Sequence, residues 1–255
     1  MTDELRAPFL VLLLTLFLMW SSVWIGVFIR KRHQELDKDV SRDFEILLGS
    51  TLTLLSLIIG FSLSMAINRY DQRKNYEEAE ANAIGTEYLR ADLLPAVDSA
   101  RVRTLLREYL QLRISFYQTR NKLDLQKINN RTAQLQDELW SVVQIPVAAQ
   151  PNPVHGLVLS GMNDVLNSQG YTQAAWWNRI PPGAWFLMIA VAICSNLLIG
   201  YTSHSTGAKF LRLLILPLIL CIAFYAIADI DSPRRGIIRV HPQNLLSLAH
   251  SLDGH

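Results

Sequence analysis

The sequence is poor in the residues around which enzymes and secreted scaffolds are usually built. It has two cysteines, Cys194 and Cys221, both inside apolar stretches. That leaves no disulfide framework and no zinc-ligand spacing. It contains no glycine-rich phosphate loop, no GxSxG elbow and no HExxH pair, so no catalytic residue is assigned and no enzyme is expected. Glu77, Glu78, Glu80 and Glu87 invite a metal reading, but no histidine stands at ligand spacing with them. Neither a metal nor a cofactor is expected. The formal net charge is only +2, too small to point to a nucleic-acid partner. Strand-like alternation is missing as well, and the fold class that remains is all-α.

What the chain has in quantity is apolar length. Hydrophobic residues make up 50% of it and the mean hydropathy is +0.18, yet nearly all charges lie outside four windows. The first window, 8–29, carries no charge. Crossing about 30 Å of hydrocarbon takes about 20 helical residues, so this window is long enough to span. Asp3, Glu4 and Arg6 precede it and Arg30, Lys31 and Arg32 follow it, unlike a cleaved leader. It is expected to remain as an anchor. The second window is 46–67, also uncharged. The third, 183–201, follows Pro181 and Pro182, and Trp176, Trp177 and Trp185 near its start suit an aromatic belt. In the fourth, 210–228, Arg212 is expected to snorkel and Pro217 to kink the helix.

Hydrocarbon offers the backbone no hydrogen bonds, so each window must be helical. The short links 30–45 and 202–209 make the helices of each pair antiparallel neighbours. The expected organisation is a first membrane pair in 1–67, a helical extramembrane domain in 68–182, a second pair in 183–228, and a C-terminal tail in 229–255. An even number of spans places both chain ends and the middle domain on one face. Near the membrane that face has eight basic residues against seven on the other, and Arg30-Lys31-Arg32 pulls the opposite way, so the positive-inside rule does not separate the orientations. The reading adopted is a multi-pass membrane protein with its middle domain in the cytoplasm.

From Asn68 onward no proline appears before Pro95 and Gly85 is the single weak point, so the second span is expected to continue as a rod of roughly 48 residues, about 70 Å long. Further helices are expected at 98–120 with Asp98 as N-cap, at 124–143, and at 154–168. Three prolines make 145–153 a loop. Each of these helices has one apolar face, and a layer this thin favours self-association.

Within the second span, Gly49, Thr53, Ser56, Gly60 and Ser64 fall on one helical stripe that Asn68 extends. Small residues on a stripe let helix backbones approach closely. The alternative is that copies of the stripe surround an axis, where hydroxyls replace part of an ion's hydration. Thr53, Ser56, Gly60, Ser64 and Asn68 are the pore-lining candidates. Where the rod leaves the headgroups stand Arg69, Asp71, Arg73 and Lys74, and Asp229 and Asp231 close the fourth span. These charges either pair between helices or attract anions to a pore mouth.

Two stretches, FSLSMAINRYDQRKNYEEAEANAIGTEYLRADLLP at 61–95 and DIDSPRRGIIRVHPQNL at 229–245, resemble the bacterial bestrophin-like family of four-span membrane proteins. The shared layout covers most of the chain. The resemblance implies an all-helical membrane protein and kinship with bestrophins, which are pentameric anion channels lined by their second membrane helix. On this sequence that implication points to Ser56, Gly60 and Ser64, to a small inorganic anion, and to further copies of the chain in the bilayer. The competing expectation is a membrane-anchored scaffold or sensor whose helical domain binds a partner protein.

Overall fold

Apolar windows too long for a soluble core become helices in the computed structural model, which describes residues 2–32, 38–203 and 210–253. Among the described residues there is no strand. In chain order the helices are α1 (Thr2–Arg32), α2 (Lys38–Arg90), α3 (Ala96–Gln118), α4 (Lys122–Ala149), α5 (Pro153–Trp177), α6 (Pro182–Thr202), α7 (Phe210–Asp231) and α8 (Gln243–Asp253), with a 3-10 turn, Ala91–Leu93, after α2. Four of them are long and apolar enough to cross a membrane, and they contain the four expected windows. The fold is that of an all-α integral membrane protein. Residues 33–37 of the first expected link, most of the second at 204–209, and the side chain of Arg212 lie outside the described residues; the rest of the first link is helical, closing α1 and opening α2.

The chain divides into two units, residues 1–68 with 179–239, and residues 69–178 with 240–255. In the membrane unit, α1 and α6 pack backbone against backbone. A Cβ on Gly26 would stand 2.1 Å from the Leu197 carbonyl oxygen, and one on Gly200 would stand 2.0 Å from that of Val23. Only glycine permits this approach. Met19, Leu55, Ala66, Met188, Ala192, Leu220 and Phe224 fill the core beside it. Two buried hydroxyls return to their own helices, Ser22 donating to the Leu18 carbonyl at 2.8 Å and Ser195 to that of Val191 at 2.9 Å, so each is paired without a partner from another helix. At the end of α1, Arg30 donates to the Tyr201 carbonyl at 2.8 Å.

In the helical unit, α3, α4, α5, α8 and the last turns of α2 enclose Leu106, Tyr109, Leu110, Leu135, Leu139, Met162 and Leu245. Several element ends differ from the sequence reading. Pro95 fixes an extended backbone and α3 begins directly after it, so Asp98 sits in the first turn and Pro95 occupies the cap position. Asn121 caps α4, its side chain accepting from the Leu123 N–H. α4 then runs into the expected loop as far as Ala149, leaving 150–152 outside a helix: Val142, Val143 and Pro146 are all buried, and that burial carries the helix one turn past the proline, although proline lacks the N–H that would reach back four residues. α5 likewise passes Gly170 to end at Trp177, because Thr172, Ala175 and Trp176 prolong its buried face. Trp176 belongs to no aromatic belt. It is buried with its ring 5.0 Å from Phe116 and 5.4 Å from Tyr117. The tail contributes α8, whose Leu245, Ala249 and Leu252 are buried.

Candidate functional site

The membrane part of α2 is the least covered of the four spans. Only 11% of its apolar window is buried, against 33% for α7. Its inward face is narrow, with Leu55, Ser62 and Ala66 buried and Ile58, Ile59 and Leu63 packed beside them. The pore-lining candidates fall on the other side: Thr53, Ser56, Gly60, Ser64 and Asn68 are all exposed. A Cβ on Gly49 or Gly60 would meet nothing within 4 Å. Within the protomer the stripe therefore brings no helix close, and the close approach is made by Gly26 and Gly200. Ser22 and Gly26, four residues apart on α1, were the signal for it in the sequence. The stripe hydroxyls are held by their own helix, Thr53 donating to the Gly49 carbonyl at 2.9 Å and Ser56 to that of Leu52 at 2.8 Å. Their oxygen lone pairs and the open space at the glycines face outward.

The charged candidates take distinct places. Asp71 is exposed and Arg69 half-buried. Arg73 is buried, its Nε donating to the Ala175 carbonyl and its Nη2 to that of Asn178, both at 3.2 Å. Those carbonyls end α5, where a cation complements the helix dipole. In the membrane unit Asp229 accepts from the N–H groups of Ile237 at 2.8 Å and Ile238 at 2.9 Å. Gly236 lets the chain turn back on it, since a Cβ there would stand 2.4 Å from the Asp229 carbonyl oxygen. Asp231 accepts from the N–H of Ile180 at 3.1 and 3.2 Å. Each acid thus holds backbone at the end of α7.

Sequence reasoning missed the polar centre of the helical unit. Glu80 and Arg113 form a fully buried ion pair. Tyr117 and Thr172 donate their hydroxyls to Glu80 at 3.3 and 3.2 Å. The Arg113 guanidinium lies over the Phe116 ring, 4.4 Å from its centroid. Burial works against the guanidinium's charge, but the Glu80 carboxylate outweighs it and raises the arginine pKa. Burial and the same carboxylate push the Tyr109 and Tyr117 phenols up. Glu77 accepts from the N–H groups of Asn244 at 2.9 Å and Leu245 at 3.0 Å, and from the Asn244 amide at 2.7 Å, so it caps the start of α8. These glutamates recur at helical spacing on α2, which marked them as one face. Their burial depends on helices that only folding brings together. Among the described residues, no group of three or more His, Cys, Asp or Glu is placed to hold a metal.

A family model for the bestrophin-like domain matches residues 11–245. The chain belongs to the bestrophin-like family. The backbone of this bestrophin-like chain is similar to that of a bacterial bestrophin homolog from Klebsiella pneumoniae: against a point mutant of that homolog the TM-score is 0.63 at 14% identity, covering 96% of this chain and 97% of the other. A second crystal structure of the homolog gives a TM-score of 0.62 at 14% identity, with 95% and 98% covered. A membrane protein with a glycine-to-alanine substitution gives 0.65 at 14% identity, with 96% and 95% covered. Among curated proteins, none matches the sequence. Identities this low establish a shared fold for the bestrophin-like chain. Its chemistry has to be argued from its own residues.

Proposed function

We propose that this bestrophin-like protein is a homo-oligomeric ion channel that passes small inorganic anions through a pore lined by the second membrane helix. The observation that carries this reading is the coverage of α2. The helix uses one narrow face within its own protomer and leaves Thr53, Ser56, Gly60, Ser64 and Asn68 exposed in open space. A stripe of hydroxyls and glycines is poorly suited to lipid tails but well suited to a partly hydrated ion, with Leu57 and Phe61 close by as apolar gating material. Bestrophins are anion channels, which supports both the assembly and the sign of the ion. By the same analogy the assembly is a pentamer in the inner membrane with its helical domain on the cytoplasmic side. Arg69 and Asp71 then stand at the pore mouth, while Arg73 holds the end of α5.

The test is chloride efflux from liposomes containing the purified protein. Wild type is expected to release chloride. Gly60→Leu and Ser64→Leu, which place a branched apolar group on the stripe, are expected to suppress that release while leaving the oligomer intact by size-exclusion chromatography. Stable oligomers that release no chloride, or leucine variants that conduct like wild type, would contradict the proposal.

A further inference from the structure

One buried acid has none of the hydrogen-bond donors that its neighbours enjoy. Glu87 lies three residues before the end of α2 and is fully buried, yet neither carboxyl oxygen has a hydrogen-bond partner among the described residues. Glu80 and Glu77, on the same helix, are each satisfied by several donors. The surroundings of Glu87 are shaped to receive a carboxyl at close range. A Cβ on Gly161 of α5 would stand 2.0 Å from Glu87 Oε2, 2.5 Å from Arg90 Nη1 and 3.1 Å from the Glu87 carboxyl carbon, so any larger residue at 161 would displace the carboxyl and the guanidinium beside it. The charged groups acting on this carboxyl are Arg90 on α2 and Asp164 on α5. Arg90 is half-buried, with its guanidinium directed to the Leu157 carbonyl at 3.4 Å, and Asp164 is exposed. A carboxylate without donors in a low-dielectric site is the costly form, and the neutral acid is the form that fits.

We propose that Glu87 is a proton-binding site that fastens α5 to the end of α2: the neutral acid seats against Gly161, and its ionisation forces the two helices apart. Burial pushes this carboxyl up to about 8 from an ordinary 4.5, with Arg90 opposing the rise and Asp164 adding to it. In an opened, solvated joint the same group ionises at its ordinary value. The closed joint therefore binds more protons than the open one between those two values. Closure is strongest in acid, weakens as pH rises through that window, and levels off above about 8.

The experiment is amide hydrogen exchange of residues 153–170 in the full-length protein held in lipid nanodiscs, corrected for the intrinsic effect of pH on exchange. Wild type is expected to show an opening constant that rises up to about tenfold per pH unit between about pH 5 and 8 and then flattens. Glu87→Gln, a permanently neutral isostere, is expected to exchange slowly with no such slope. Asp164→Asn, at an exposed position, is expected to bring the flattening to a lower pH. A wild-type slope persisting in Glu87→Gln, or a flattening pH unmoved by Asp164→Asn, would overturn the proposal. No ion flux enters the readout, so the result stands apart from the fate of the channel reading.

Discussion

Single residues in this chain act mainly by what they leave out. Gly26 and Gly200 lack the side chain that would hold α1 and α6 apart, and Gly161 lacks the one that would exclude Glu87. Gly200→Val would drive two methyl groups into the Val23 carbonyl. Overpacking of this kind typically costs about 1–3 kcal/mol, and here the rigid element is backbone, so the upper end is expected. The measurement is the thermal unfolding midpoint of the detergent-solubilised protein, which should fall clearly for Gly200→Val and stay near wild type for Gly49→Ala, where a Cβ meets open space. The glycines most conspicuous in the sequence are not those that bring helices together within the protomer. Five small residues in register on α2 outshine the Ser22–Gly26 pair on α1 and Gly200 on α6, although within the protomer it is Gly26 and Gly200 that meet the backbone of the other helix. Periodicity reveals that a face is small; it does not reveal whether that face is covered.

Helix existence was legible because hydrocarbon length and uncharged windows admit no other structure, whereas helix ends were set by tertiary burial. Pro146 and Gly170 are breakers by local propensity, yet both lie inside helices. α8 shows the same effect from the other direction. Its Leu245, Ala249 and Leu252 recur at helical spacing, but the preceding stretch with Pro233, Gly236 and Pro242 reads as an unstructured tail. Its attachment depends on Glu77, more than 160 residues earlier, which accepts the first free N–H groups of the helix, and on Arg107, which donates to the Leu252 carbonyl at the other end at 2.8 Å. Glu77→Ala removes a cap worth about 0.5–2 kcal/mol. Limited proteolysis should then cut the C-terminal segment sooner than in wild type, while Glu78→Ala, at an exposed position, should leave the cutting rate unchanged. Equal protection in Glu77→Ala would show that apolar contacts alone hold α8.

At the level of the whole molecule, two units with separate cores share one chain, and α2 contributes residues to both. The membrane unit has its close helix contact in α1 and α6 and leaves α2 largely bare. A bare span with an outward stripe of hydroxyls and glycines is the reason to place several copies around an axis, and the bestrophin-like family supplies the precedent. The four-span layout was readable from charge segregation alone, and the family from two sequence stretches. Which side of α2 is free was not readable, because that depends on where α6 and α7 settle. The measurement that decides the matter is a single-particle image of the purified protein viewed down the membrane normal. A closed ring of subunits with α2 innermost and the Ser56, Gly60 and Ser64 face directed at the central axis is expected. Monomers, or a ring in which α2 lies on the lipid-facing rim, would contradict the account.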